Sequence, residues 1–321
     1  MLHGFLLLAL VLLPGCINLD LSTLGGRGPL VEEVVFGETG PKILMLEIDG
    51  VISGEEQSSA LGLGIGESVV ARVRSQLDLA AEDDEIRAIL LRINSPGGTV
   101  TASDIVHREL LEFKKKRDIP VVAQLMGLAA SGGYYIAMAA DHVMAHPTTV
   151  TGSIGVIFSG LNLTGLLEKV GVANQTLKSG AFKDTGSALR PMRDDERVQL
   201  QSVLDDFHTR FRGVVDAGRP ELDADAVGVL ADGRIFSAEQ AHAAGLVDGI
   251  GYLPEAVAEV ERRAGLESSQ VIVFRRPNEW AENLYSTSEP LEAPRLGFDW
   301  RPLTRVLQPG FLYLWEPAAA W

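Results

Sequence analysis

Apolar residues fall in blocks along this chain, and the blocks differ in period. "KILMLEIDGVI" (42–52) is almost continuously apolar and runs into Asp49-Gly50, which predicts a strand covered on both faces. "IRAILLRIN" (86–94), "PVVAQLM" (120–126), "HVMAHP" (142–147) and "VIVFRR" (271–276) read as strands too. Between them the spacing turns helical, predicting helices over 67–81, from the "SPGGTVTAS" loop to about 116, and from Ser131 to about 140. "SIGVIFSGLN" (153–162) predicts a strand and turn, followed by a short helix and a strand leading into "LKSG" within 173–180. A long helix is expected over 194–217. There Leu200, Val203, Leu204, Phe207, Phe211 and Val214 recur at helical spacing, and Asp194, Asp195 and Glu196 sit in the first turn, where the helix dipole favours acids. Shorter helices follow Pro220, then "GRIFSAEQAHAAGLVDGIG" (233–251) and a helix to about 264. Strands alternating with helices imply βαβ units, hence an α/β fold with a largely parallel sheet.

The ends of the chain break this pattern. Residues 4–15, "GFLLLALVLLPG", are apolar for too short a stretch to span a bilayer comfortably, and match a signal-peptide core. "LLPGC" resembles a bacterial lipobox, which would make Cys16 a lipidated mature N-terminus, although "MLH" lacks the usual Lys or Arg. An uncleaved anchor is the other reading, and both place the body of the protein outside the cytoplasm at a membrane. Cys16 is the sole cysteine, so no intrachain disulfide can form. The expected organisation is a lipoprotein signal peptide (1–15), a lipid-anchored tether (16–41), a catalytic domain (42–268), and a final strand with a Pro/Trp-rich tail (269–321). All four tryptophans (280, 300, 315, 321) lie in that tail, which is expected to pack along a neighbouring subunit or, as the second reading, to sit at a membrane interface. Gly62, Gly64 and Gly66 follow no strand and have the wrong spacing for a dinucleotide loop.

A net charge of −15 argues against a nucleic-acid partner, since phosphate binding needs a positive face. The one dense basic run, "KKKR" (114–117), ends a predicted helix and suits its dipole there. No cluster suggests a metal site and no loop a nucleotide site, so no cofactor is expected.

Chemistry concentrates in "LAASGGYYIAMAAD" (128–141). An active serine needs an exposed Oγ at a sharp turn, a base, and backbone N–H groups facing the oxyanion. Ser131 sits between small residues at a helix start, where free amides and the positive dipole end converge, and the Gly132 amide is a natural oxyanion donor. Taken locally, the same stretch also fits a capped helix. A second loop, "NSPGG" (94–98), follows a strand and precedes a helix, and Gly97 or Gly98 could give a second oxyanion amide. None of the six histidines (3, 107, 142, 146, 208, 242) sits in a loop with a suitably placed acid, and His107 and His208 read as surface positions. A Ser-His-Asp triad is therefore poorly supported. Lys178 and Lys183 in "LKSGAFKDTGS" are the alternative bases, with Ser153 a candidate hydroxyl to orient either. A lysine base must be neutral, so its pKa has to fall from about 10.4 by roughly 3 units through desolvation.

"LRINSPGGTV", "GLAASGGYYIAMAADHVMAHPTTVTGSIGVI" and "KSGAFKDTGSALRPM" resemble, in order and spacing, the signal peptide peptidase A (SppA) family of serine peptidases, and "GRIFSAEQAHAAGLVDGIG" resembles a later segment of it. The resemblance covers about 42–268. It implies a fold like Clp protease and the crotonases, a spiral of ββα units, with extra C-terminal helices. It also implies Ser131 as nucleophile, Lys183 as base, Ser153 as the hydroxyl orienting it, and Gly98 and Gly132 as oxyanion amides. Expected partners are remnant signal peptides and other hydrophobic or unfolded peptides, a membrane, and further copies of the chain in a dome-like ring where Ser and Lys can meet across an interface. A non-catalytic envelope scaffold and a crotonase-like acyl-CoA enzyme are the competing readings.

Overall fold

The computed structural model describes residues 28–55, 57–58, 65–276, 283–286 and 310–315. The expected leader, Cys16, Gly62, Gly64, Trp280, Trp300 and Trp321 lie outside the described residues.

The first strands are β1 (Val31–Phe36) and β2 (Lys42–Asp49), followed by a small pair, β3 (Gln57–Ser58) and β4 (Ile65–Gly66). Helix α1 (Val69–Glu82) starts where the Ser68 hydroxyl accepts the Ala71 N–H. Then come β5 (Ile86–Ser95), β6 (Gly97–Thr99) and α2 (Val100–Arg117), whose cap is Thr99. Strand β7 (Val121–Ala130) leads to α3 (Gly132–Ala137), and three short strands follow: β8 (His142–Ala145), β9 (Val150–Gly152) and β10 (Ile157–Ser159). The second half adds α4 (Thr164–Lys169), α5 (Asp194–Gly218), α6 (Ala224–Leu230), β11 (Ile235–Ser237), α7 (Ala238–Ala243), β12 (Gly249–Ile250), α8 (Leu253–Ala264), β13 (Gln270–Arg275) and β14 (Gly310–Leu314).

The main sheet has the order β1-β13-β2-β5-β7-β8-β12, with β9 beside the end of β7 and β11 beside β9. Its pairs are parallel except β1 on β13 and β11 on β9. The continuous apolar runs are explained by coverage of both faces. Leu44, Leu46 and Ile48 of β2, with Ile89, Leu91 and Ile93 of β5, face a core shared with α1, α2, α3 and α5. Their alternates Ile43, Met45, Ala88 and Leu90 face α8 through Leu253, Ala256, Val257 and Val260. Among the described residues no helix is long and apolar enough to cross a membrane.

Three expectations need correcting. Val31–Phe36, assigned above to the tether, form β1, because Val31 to Val34 pair with Arg275 to Ile272 at the sheet edge. Residues 173–178 form no strand; they are exposed and pair with no other strand. The stretch 310–314 of the tail packs on its own chain: β14 lies antiparallel between β6 and β10 in a three-stranded sheet. Tyr313, fully buried, anchors it by stacking on Tyr135 at 5.2 Å, packing on Phe211 at 4.7 Å and donating its hydroxyl to the Phe207 carbonyl at 2.8 Å.

His107 is likewise an interior residue. It meets the Tyr135 ring edge-on at 5.2 Å, and burial pushes its imidazole down to about 4. The unfolded chain takes up this proton near pH 6.5 and the folded chain only near 4. Its contribution is therefore complete above about pH 6.5 and is lost as pH falls through that window, by on the order of 3 kcal/mol at pH 4. Thermal melts between pH 7 and 4 should show a steeper acid decline for the native protein than for His107→Gln.

Candidate active site

The site is assembled at the C-terminal ends of β5, β7 and β9, whose register places Ser95 opposite Ala129 and Ala130 opposite Gly152. The Thr151 hydroxyl ties the last pair together by donating to the Ala129 carbonyl at 2.6 Å. Ser131 and Ser153 are thus the first residues beyond two paired strand ends, and the Ser131 N–H donates to the Gly152 carbonyl at 2.8 Å.

Ser131 occupies the N-cap position of α3 with φ 51° and ψ −114°, outside the region ordinary L residues prefer, and its side chain makes no capping bond. This disposes of the helix-cap reading. Such a strand-to-helix turn can keep a serine Oγ free of the helix amides. Ser153 is also left-handed, at φ 50°, and is held by its N–H to the Arg234 carbonyl at 2.8 Å. Both serines are nearly buried, at 1% and 7% exposure, so the exposed Oγ expected for Ser131 is not found in the isolated chain, where β14 packs over the neighbouring glycine loop.

The two glycine loops meet beside Ser131. A Cβ built on Gly132 would lie 3.2 Å from the Gly98 nitrogen, and one built on Gly97 (φ 104°) would lie 2.8 Å from the Gly132 nitrogen. The loop carrying Gly97 and Gly98 is fixed by Ser95, whose hydroxyl donates to the Gly50 carbonyl at 2.6 Å and accepts the Gly97 N–H at 3.0 Å. Sequence reading gave Ser95 no role, although it stands in the quoted "NSPGG". It also missed β14. Tyr313 pairs opposite Gly98, and its carbonyl oxygen would be 1.9 Å from a Cβ on Gly97, so a strand of the chain itself runs past both amides. The apolar run "GFLYLW" was the available signal.

Among the described residues no hydrogen bond joins either lysine, or any histidine, to Ser131 or Ser153. The two lysines nevertheless differ. Lys178 is committed to an ion pair with Asp184 at 2.7 Å, whereas the exposed Lys183 has no hydrogen-bond or ion-pair partner for its ammonium among the described residues.

Sequence comparison identifies the family. The model of peptidase family S49 matches residues 113–267, and that of Clp protease matches 55–151. The chain is 38% identical over 251 residues to "Putative signal peptide peptidase SppA" of Enterococcus faecium, covering 78% of this chain and 72% of that protein. It is 40% identical over 233 residues to a protein of Synechocystis sp. described as a "Putative protease", covering 73% and 78% respectively. "Serine protease SPPA, chloroplastic" of Arabidopsis thaliana is 33% identical over 211 residues, 65% of this chain and 30% of that one. The acyl-CoA enzyme and the scaffold gain no support from these relatives. Two glycine loops closing on an uncapped serine, on a Clp protease-like α/β fold, fit what these relatives are, and the chain belongs to peptidase family S49, the SppA-related serine proteases.

Proposed function

We propose that this protein is an endopeptidase of the bacterial envelope that degrades cleaved signal peptides and other hydrophobic peptides with a Ser131–Lys183 dyad. The observation that carries the reading is the uncapped Ser131 at φ 51°, set where the Gly98 and Gly132 backbones converge. An extended peptide would take the place that β14 holds on the edge of β6, displacing that strand and bringing its own carbonyl beside those two amides. Ser131 Oγ attacks the carbonyl carbon and its proton passes to Lys183 Nζ. The Gly98 and Gly132 N–H groups hold the oxyanion. The C–N bond then breaks, Lys183 protonates the leaving amine, and the acyl ester remains on Ser131. Water attacks that ester, and Lys183 takes the water proton and returns it to Oγ. Ser153 orients the lysine.

Lys183 would reach Ser131 of a second copy. Its own loop is exposed, and apolar side chains in the segments before and after it in the chain stand in solvent: Leu177 is 97% exposed, Val198 70%, Val170 62% and Leu166 57%. Covering this collar with another subunit would bury apolar surface and desolvate the lysine together. A lipid on Cys16 would hold the assembly at the membrane.

The test uses the detergent-solubilised full chain and a synthetic signal peptide. Lys183→Ala should lose about 10³-fold or more in kcat, while Lys178→Ala keeps activity within about tenfold. Mixing Ser131→Ala with Lys183→Ala should restore part of the activity, because some interfaces then carry both intact groups. A fully active Lys183→Ala enzyme would remove the dyad from consideration.

A further inference from the structure

Four cationic side chains lie between 178 and 193: Lys178, Lys183, Arg190 and Arg193. All except Lys183 are held in ion pairs among the described residues. The centre of this network is Arg190. Its Nε donates to Asp184 Oδ2 at 2.8 Å, and its Nη2 donates to Asp184 Oδ1 at 2.7 Å and to the Asp184 carbonyl at 3.0 Å. On the other side Nη1 donates to Glu196 Oε2 at 2.9 Å, and Nη2 also bonds Glu196 Oε1. Glu196 is fully buried in the first turn of α5 and accepts the Arg193 N–H at 3.1 Å. Arg190 thereby links the residue after Lys183 to the start of a 25-residue helix.

The residue before Lys183 is held as well. The Arg193 guanidinium lies 5.3 Å over the Phe182 ring and donates to the Ala181 carbonyl at 3.1 Å. The loop is thus tied down on both sides of a lysine whose ammonium none of these bonds uses.

A buried carboxylate is costly unless paired, and here the Arg190 guanidinium holds the Glu196 carboxyl down to about 2. One guanidinium can serve two carboxylates at fixed angles. An ammonium is a point charge and cannot bridge both. A purely stabilising ion pair has no need to include the neighbour of the proposed base. We propose that Arg190 is the positioning residue for Lys183: by locking Asp184 to the buried Glu196 it fixes where the lysine is presented. This rests on Lys183 being the base.

The experiment compares Arg190→Gln and Arg190→Lys with the native full-length enzyme on the same signal peptide, recording kcat, KM and assembly size. Lys183→Ala is run in parallel. Expected for both Arg190 variants is normal assembly, with kcat down roughly 10- to 100-fold and KM within about twofold, since misplacing a reacting group by an ångström costs about that much. Arg190→Lys should fail to rescue although it keeps the charge. If Arg190→Gln does not fold, Arg190→Lys alone carries the test. Native kcat in either folded variant, a change confined to KM, or loss that simply follows disassembly would each overturn the proposal. An active Lys183→Ala enzyme would instead overturn the base assignment beneath it.

Discussion

Ser131→Ala should abolish peptide cleavage while leaving the melting temperature nearly where it was. Among the described residues four serine, threonine or aspartate caps, Ser68, Thr99, Asp223 and Ser237, accept a backbone N–H through their side chains. Replacing any of them by alanine should cost about 1 kcal/mol. Ser131 occupies the same position on α3 without such a bond. What it contributes to the fold comes from its backbone, through its N–H to Gly152 and its carbonyl to the Tyr135 N–H, and alanine keeps both. The unusual backbone angles persist too, so stability should change by no more than about 0.5 kcal/mol. Activity should fall by about 10³-fold or more, because the remaining amides cannot replace a nucleophile. Paired melting curves and peptide-cleavage rates decide it. A variant that melts 5 °C lower and still cuts would return Ser131 to the role of a cap.

Gly98→Ala should damage both fold and rate. A Cβ there would sit 1.9 Å from the Ile52 carbonyl oxygen and 2.6 Å from its carbon and nitrogen. All three are backbone atoms, so no side chain can swing away. The clash falls where Ile52 and Gly98 bridge, beside the Ile52 N–H to Gly97 bond of 2.8 Å and the Thr99 N–H to Ile52 bond of 2.9 Å. Moving that backbone should cost about 1–3 kcal/mol of stability. It also shifts the Gly98 amide, and if that amide is the proposed oxyanion donor its loss should lower kcat by about 10²- to 10³-fold. Gly54→Ala is the control, because its Cβ meets nothing within 4 Å, and it should be silent in both measurements. Native kcat in Gly98→Ala would mean that this amide holds no oxyanion.

Most of the architecture was legible in the chain. The long strands are apolar on consecutive positions because both sheet faces are covered, and a local pattern carries that information. The glycine loops and Ser131 were legible for the same reason: a helix start after a strand is written in neighbouring residues. The placement of His107 was not: it lies on the buried face of α2 with Val106 and Leu110, against Tyr135 of another helix, and that contact between two helices is not written in either alone.

What the sequence determined by itself is local: which segments form strands and helices, which serine stands at a helix start, and which two lysines lie in a glycine-rich loop. The tertiary structure decided everything that depends on pairing between distant segments. The register of Ala130 against Gly152 set Ser131 beside Ser153. The burial of Tyr313 brought β14 across Gly98, although 310–315 reads alone as a short apolar piece of a proline-broken tail. The ion pair with Asp184 gives Lys178 a partner that Lys183 does not share, a difference the residue pattern alone did not carry and only the family resemblance had hinted at. A strand pair or an ion pair is a property of two positions, and its energy appears only once the chain has brought them together.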